Sequence, residues 1–135
     1  MWKILVVDDE ALNRKLIREC LAELADCICT ASGAEALQAF ELAMKEDKPF
    51  DVVLLDIAMP EMDGIETLKR LRGIEEKKKI LFGTGTPVLM VTAFTNPFMK
   101  SFREGADGYV VKPIEPDKMI EDIRKVLMSR KAQKK

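Results

Sequence analysis

Several polar residues stand directly after short apolar runs, and their types suit metal and phosphate chemistry. They are Asp8 and Asp9 after 4–7, Asp56 after 52–55, Thr92 after 88–91 and Lys112 after 109–111. In an open parallel sheet, ligands bind beyond the carboxyl ends of the strands. If the apolar runs are such strands, these five side chains converge at one edge of the sheet.

The three carboxylates suit a hard divalent cation. Neighbouring carboxylates repel one another, and each binds protons more readily unless a positive charge joins them. Magnesium prefers oxygen ligands and commonly uses one or two carboxylates together with phosphate oxygens. We therefore predict Mg²⁺ as the cofactor, with Asp8, Asp9 and Asp56 as its carboxylate ligands.

Asp56 is also a candidate nucleophile. A carboxylate can attack phosphorus and form an acyl phosphate when a metal and other cations neutralise the charge on the transferred group. Lys112 would supply such a charge, and the Thr92 hydroxyl can donate a hydrogen bond to a phosphoryl oxygen. Taken singly, these residues also have structural explanations, since Asp caps helices, Thr favours strands and Lys before Pro can begin a loop. Their combination at successive strand ends favours a phosphoacceptor site.

The elements that must position these residues alternate between strand and helix. The four runs are unbroken, as expected when helices cover both faces of a parallel sheet. A fifth, weaker run spans 27–31, and segments with helical apolar spacing lie between the runs. This order favours a doubly wound α/β fold over a barrel. We predict one domain over 1–128 and a basic tail over 129–135 that frays into solvent.

Composition argues against several other classes of protein. The formal net charge of -1 provides no basic field for nucleic acid, so we predict no nucleic-acid partner. Cys20, Cys27 and Cys29 are an odd count in a chain without histidine, which argues against a disulfide framework and a mixed Cys/His zinc site. We read the three cysteines as small packed hydrophobes.

The first apolar run is too short for a signal peptide or membrane span, so we expect a cytoplasmic protein without membrane insertion.

Four motifs resemble the receiver domain of two-component response regulators, over about residues 3–128. In chain order they are Val6–Glu10, Asp56–Gly64, Val91–Ala93 and Gly105–Pro113. The segments 87–93 and 108–113 look most like the single-domain chemotaxis regulators. The resemblance implies a flavodoxin-like, five-stranded parallel sheet with strand order 2-1-3-4-5 and helices on both faces.

The resemblance also implies a role for each site residue. It makes Asp56 the phosphoacceptor, and Asp8 and Asp9 the acidic metal pair. Ala58 matches the residue whose backbone carbonyl joins the metal shell. Lys112 matches the lysine that contacts phosphate and precedes what is usually a cis peptide bond to proline.

The implied partner is a histidine kinase or a histidine phosphotransfer protein that presents phosphohistidine. Since this chain has no histidine, the donor must be another molecule. Phosphorylation adds about two negative charges, which can draw in the switch hydroxyl, Thr92, and let the switch aromatic, Tyr109, follow. The implied readout surface comprises the fourth helix, fifth strand and fifth helix of the family fold. We expect a monomer that can dimerise on phosphorylation and an unidentified downstream protein.

One stretch of the chain is longer than the family leads us to expect. Thr92 lies 36 residues after Asp56, several more than expected, and the extra residues fall within 72–86. We predict that the third helix extends through Leu81 and that a loop follows at 83–85. We read the stretch as a solvated insertion rather than a partner site.

The following stretch is short. Lys112 lies only 20 residues after Thr92, and Pro97 suits the first turn of a helix. The fourth helix should therefore be short and begin near Pro97. This alters the expected readout surface, so the partners of chemotaxis regulators are not carried over.

Two apolar residues predict slow loss of the phosphoryl group. Ala58 and Phe94 stand two residues after Asp56 and Thr92, at family positions that tune how fast water removes it. Because neither side chain can orient a water molecule, we predict slow self-hydrolysis. The protein is then not an enzyme in the usual sense but a phosphoacceptor that catalyses its own phosphorylation and slow dephosphorylation.

Two other functions stay open. The first is a phosphorylation-independent, receiver-like binding module, which the complete set of site residues disfavours. The second is a metal-dependent phosphatase with an aspartyl nucleophile. Such enzymes usually need a general-acid Asp two residues after the nucleophile, where this chain has Ala58.

Overall fold

Strands and helices alternate along the chain. The computed structural model describes residues 1–93 and 104–133. Over these residues the elements are β1 (Trp2–Val7), α1 (Ala11–Cys20), β2 (Ala25–Thr30), α2 (Gly33–Lys45), β3 (Val52–Asp56), α3 (Gly64–Lys77), β4 (Val88–Thr92), β5 (Gly108–Val111) and a C-terminal helix (Pro116–Gln133). The fourth helix predicted near Pro97 lies outside the described residues. None of the described helices is long and apolar enough to cross a membrane.

All five strands lie in one parallel sheet with the order β2-β1-β3-β4-β5. This confirms the predicted doubly wound α/β fold and its strand order. Val7 pairs with Leu55, and Asp56 pairs with Val91. The carboxyl ends of β1, β3 and β4 therefore lie together at one edge of the sheet.

Successive residues of β1 enter two different cores. Leu5 and Val7 pack on the face covered by α2 and α3, whereas Ile4 and Val6 pack on the face covered by α1 and the C-terminal helix. All four are at most 1% exposed. Because helices cover both faces, every position from Ile4 to Val7 is apolar, which explains the unbroken sequence run. Each such side chain contributes roughly 1.5–3 kcal/mol through burial, and the paired strands form a rigid base for their polar ends.

The three cysteines are free thiols packed against the core on the α1 face. Burial, reinforced by the neighbouring Cys29, raises the pKa of the Cys27 thiol to about 11. Cys27 therefore remains a protonated thiol near neutral pH. This agrees with the prediction that the cysteines act as small hydrophobes.

α3 ends at Lys77, four residues before the predicted end at Leu81. Lys79 adopts a positive φ of 64°, and the backbone N–H of Ile80 donates to the carbonyl oxygen of Glu75 at 3.0 Å. This Schellman pattern satisfies a carbonyl of the last turn and directs the chain away from the helix axis. The prediction was wrong because glycine usually marks this position, and here a lysine occupies it.

Four charged side chains meet at the amino ends of β4 and β5. We call Arg72, Glu75, Asp107 and Arg130 the basal charge cluster. The Arg72 guanidinium donates to Glu75 at 2.7 Å and to Asp107 at 3.0 Å, and Arg130 donates to Asp107 at 2.6 Å. Glu75 is 3% exposed and Arg130 7% exposed. Each buried charge therefore has a partner of opposite sign, as buried ions require.

The basal charge cluster also holds the insertion. Glu75 accepts a hydrogen bond from the backbone N–H of Thr86 at 2.7 Å, and Arg130 donates to the carbonyl oxygen of Gly83. The apolar side chains at 81 and 82 are 74% and 71% exposed. The insertion is therefore solvated at its tip, as predicted, but anchored by buried charge at its base.

The C-terminal helix extends farther than the sequence indicated. We predicted fraying after Met128, yet the helix continues to Gln133. Its last turns are held by Arg130, which pairs with Asp107 in the basal charge cluster. The prediction of a frayed chain is therefore wrong for 129–133.

Replacing Glu75 by alanine should lower the free energy of unfolding by about 3 kcal/mol. The change leaves the Thr86 N–H and part of the buried Arg72 charge without an acceptor. Glu76→Ala is the matched control, because Glu76 is exposed on the same helical turn and should change stability by less than about 0.5 kcal/mol. Urea unfolding of both variants measures the difference. Equal losses would contradict a stabilising role for the buried carboxylate.

Candidate functional site

Three carboxylates converge at the carboxyl edge of the sheet, as predicted. Asp8 and Asp9 directly follow β1, and Asp56 is the last residue of the adjacent β3. One carboxylate oxygen from each lies within 4.8 Å of the other two. Asp8 is 1% exposed and Asp56 is 4% exposed, whereas Asp9 faces solvent. The site therefore has a buried floor and an open side.

The Asp8 carboxylate is fixed by its own connection to α1. The backbone N–H of Glu10 donates to Asp8 Oδ1 at 2.9 Å, and the backbone N–H of Asp8 donates to the Thr30 carbonyl at 3.1 Å. Asp8 Oδ2 is buried and has no hydrogen-bond donor among the described residues. A buried oxygen of this kind is suited to an electrostatic partner such as a cation.

Lys112 provides the positive charge of the site. Its Nζ lies 3.2 Å from Asp56 Oδ1 and 3.7 Å from Asp8 Oδ2. Its backbone N–H donates to the carbonyl oxygen of Thr92 at 2.9 Å, and its peptide bond to Pro113 is cis. The lysine that the sequence singled out therefore contacts two of the three predicted carboxylates.

The charge of Asp56 is unfavourable in this setting. Burial and the nearby Asp8 carboxylate raise the pKa of the Asp56 carboxyl above its ordinary value. The Lys112 ammonium and a backbone hydrogen bond from Ala58 act in the opposite direction but leave the pKa raised. A second positive charge would therefore stabilise the ionised form of Asp56.

The loop between β3 and α3 approaches the site closely. The backbone N–H of Gly64 donates to the Ile57 carbonyl at 2.8 Å, and a Cβ on Gly64 would lie 2.2 Å from the backbone oxygen of Asp56. A glycine is therefore required for this approach. Asp63 caps α3 by accepting a hydrogen bond from its first turn at 2.8 Å. Ala58 is left exposed near Asp56.

Thr92 and Tyr109 lie in the strands expected for them. Thr92 ends β4 and is 2% exposed, one residue beyond the register pair of Asp56 and Val91. Tyr109 pairs with Met90 in the β4–β5 register and packs, partly buried, against the core on the α2 and α3 face. The structure therefore brings Thr92 to the edge where Asp56 lies. The switching roles of both residues stay predictions.

Arg14 also contacts the site, and no pattern in the sequence pointed to it. It lies in the first turn of α1 and donates from Nη1 to the backbone oxygen of Asp8 at 2.8 Å. An arginine on a surface helix is ordinary, and only the position of α1 against the end of β1 makes this contact possible. The sequence carried no signal for it.

The donor set fits magnesium. All three carboxylates offer hard oxygen atoms, one of them buried without a hydrogen-bond donor among the described residues. The open side at Asp9 leaves room for water and phosphate oxygens, which magnesium usually retains as ligands. Asp8, Asp9 and Asp56 are therefore the side chains that could hold the ion.

The chain matches the family model described as the response regulator receiver domain over residues 4–124. It is 37% identical over 128 residues to the transcriptional regulatory protein SrrA of Staphylococcus aureus, covering 93% of this chain and 47% of that protein. It is 33% identical over 144 residues to histidine kinase 3 of Arabidopsis thaliana, covering 94% of this chain and 14% of that protein. The chain therefore spans about half of the staphylococcal protein and a small part of the plant kinase.

A solved structure of the chemotaxis protein CheY4 of Vibrio cholerae is also similar. The TM-score is 0.77 at 32% identity, and the match covers 93% of this chain and 98% of that one. This single-domain neighbour agrees with the resemblance to chemotaxis regulators found in the sequence.

Asp56→Asn should stabilise the chain in EDTA at pH 7, by on the order of 1 kcal/mol. A carboxyl whose pKa is higher in the folded than in the unfolded chain destabilises the fold once the pH exceeds the unfolded pKa. The destabilisation reaches its full size when the pH also exceeds the folded pKa. The gain should therefore grow with pH through the raised pKa and vanish below about pH 3.9. Urea unfolding at several pH values measures it, with exposed Asp26→Asn as the control. A destabilised Asp56→Asn chain at pH 7 would contradict the repulsion.

Proposed function

The chain belongs to the response regulator receiver domain family, and from this premise we propose that Asp56 accepts a phosphoryl group in a magnesium-dependent reaction. Membership makes it a receiver domain of two-component signal transduction. The observation that carries the assignment to Asp56 is its position. It is the buried carboxylate that has Lys112 Nζ at 3.2 Å and the Asp8 and Asp9 oxygens within 4.8 Å.

In the proposed reaction, one Asp56 oxygen attacks the phosphorus of the donor. A bond forms between this oxygen and phosphorus as the bond to the donor's leaving group breaks, and the leaving group keeps the electron pair. The leaving group is an imidazole nitrogen when the donor is phosphohistidine, or acetate when it is acetyl phosphate. The product is an acyl phosphate.

The metal ligands, Lys112 and Thr92 would support this step. Asp8 and Asp9 would hold the magnesium ion together with Asp56, and Ala58 would add its backbone carbonyl. The bound ion would neutralise charge on the transferred phosphoryl group. Lys112 would leave its ion pair with Asp56 to contact a phosphoryl oxygen, and the Thr92 hydroxyl would donate to another.

The phosphohistidine donor would lie outside these 135 residues. Because none of the 135 residues is a histidine, a histidine kinase or a histidine phosphotransfer protein in the cytoplasm would present the phosphohistidine. The added charge would then move Thr92 and Tyr109 and alter the readout surface. Of that surface, β5 and the C-terminal helix belong to the described residues, and the fourth helix does not. A downstream protein, or a second copy of the chain, would bind there.

Incubation with acetyl phosphate and magnesium should add one phosphoryl group, which intact mass spectrometry detects. The adduct should be absent from Asp56→Asn and from samples with EDTA, and should persist in Asp26→Asn, where the exposed aspartate lies on β2. Lys112→Met should slow the reaction by at least roughly 100-fold, since a charge at the transferred group is lost.

The other outcomes select between functions. Magnesium binding without an adduct, from either acetyl phosphate or a phosphohistidine donor, would favour the phosphorylation-independent binding module. Sustained turnover of small phosphate esters would favour the phosphatase instead.

The phosphorylated chain should lose its phosphoryl group slowly, with a half-life of minutes or longer. Ala58 is exposed near Asp56 and cannot orient an attacking water molecule; Phe94, the second residue behind this prediction, lies outside the described residues. Ala58→Asn should shorten the half-life roughly tenfold by positioning water. Ala22→Asn, at an exposed position after α1, is the control. A half-life of seconds in the native chain would contradict the prediction of slow dephosphorylation.

A further inference from the structure

We propose that Arg14 is a positioning residue for the metal site. By holding the backbone of Asp8, it keeps the Asp8 carboxylate directed towards Asp56 and Lys112 before any ion binds. This inference rests on the proposed function, because it concerns the affinity of the same site for magnesium.

The junction between β1 and α1 lacks the cap that the next two helices have. Ser32 caps α2, and Asp63 caps α3, each through a side-chain oxygen that accepts a backbone N–H. Glu10 stands at the corresponding position of α1, but its side chain makes no capping hydrogen bond, and the first turn of α1 contains no acidic residue. The direction in which the chain leaves β1 must therefore be fixed by other contacts.

Three hydrogen bonds to Asp8 supply those contacts. The backbone N–H of Asp8 donates to the Thr30 carbonyl at 3.1 Å, and Asp8 Oδ1 accepts from the Glu10 N–H at 2.9 Å. The third is the bond from Arg14 Nη1 to its carbonyl oxygen at 2.8 Å, and it alone comes from a charged side chain. Hydrogen bonds from a guanidinium are about twice as strong as neutral ones. Arg14 therefore holds the carbonyl of the residue whose Oδ2 faces Lys112.

The contact matters because repulsion from the neighbouring carboxylates favours a conformation in which the Asp8 carboxylate points away from them. Asp8 is 1% exposed and close to two other carboxylates, and among the described residues its Oδ2 has only the Lys112 ammonium, at 3.7 Å, as a compensating charge. If the backbone of Asp8 could rotate, the carboxylate would gain water and lose the repulsion. The ion would then have to restore the geometry, and its affinity would fall. Residues that orient metal ligands typically change affinity 10–100-fold when replaced.

The test compares Arg14→Met with Arg14→Lys and with the control Arg18→Met. Arg18 lies one turn further along α1, where its guanidinium donates a long, exposed hydrogen bond of 3.5 Å to the Cys27 carbonyl. Isothermal titration with magnesium chloride gives the dissociation constant of each full-length chain. Intact mass spectrometry with acetyl phosphate gives the phosphorylation rate at saturating magnesium, and urea unfolding gives stability.

Arg14→Met should raise the magnesium dissociation constant about tenfold and leave the rate at saturating magnesium within about twofold of native. Arg14→Lys should recover part of the affinity, because an ammonium can also donate to the carbonyl oxygen. Arg18→Met should leave the affinity unchanged, whatever it does to stability.

A dissociation constant for Arg14→Met within twofold of native, or an equal rise in Arg18→Met, would overturn the proposal. So would a lower rate at saturating magnesium with unchanged affinity, since Arg14 would then act on the reaction itself. Failure of the native chain to bind magnesium or to be phosphorylated at Asp56 would instead contradict the proposed function.

Discussion

Repulsion among three carboxylates is the constraint that the carboxyl edge of the sheet must withstand. Oxygens of Asp8, Asp9 and Asp56 lie within 4.8 Å of one another in a partly buried site, where like charges interact more strongly than in water. The Lys112 ammonium offsets only part of the combined cost of burial and this repulsion, since the pKa of the Asp56 carboxyl remains raised. The arrangement persists because the paired segments Ile4–Val7 of β1 and Val52–Leu55 of β3 are buried and cannot move apart without opening both cores. The fold therefore keeps negative charge concentrated where a bound cation would neutralise it.

The opposite end of the sheet helps to set this geometry. Asp107 accepts a hydrogen bond from the Val88 N–H at 2.8 Å, and its own N–H donates to the Val88 carbonyl at 2.8 Å. These two bonds fix how β5 lines up with β4, and the basal charge cluster in turn fixes the Asp107 carboxylate. Lys112 directly follows β5, a strand of four residues, so a shift in register would move its ammonium away from Asp56. Buried charge at the base thus supports the position of Lys112 at the edge.

The sequence predicts those features that depend on local pattern. Unbroken apolar runs indicated a sheet covered on both faces, and polar residues after the runs indicated a site at the carboxyl ends. What it missed depends on tertiary contacts or on an unusual residue. The end of α3 was misplaced because Lys79 adopts a conformation that glycine usually takes. Arg130 was read as part of a frayed tail because its partner, Asp107, is distant in sequence. Arg14 gave no signal, since its acceptor is a backbone oxygen.

Lys112 links the charge of the site to the strands that would report it. Its side chain pairs with Asp56 and Asp8, and its backbone N–H donates to the Thr92 carbonyl. A phosphoryl group on Asp56 would bring about two negative charges and take over the ammonium as a partner. That change would act on the ends of both strands, because Thr92 is the last residue of β4 and Lys112 directly follows β5. Tyr109 lies in β5 itself, three residues before Lys112. A signal that begins as a change of ion-pair partner would therefore need to travel only the length of one short strand to reach the readout surface.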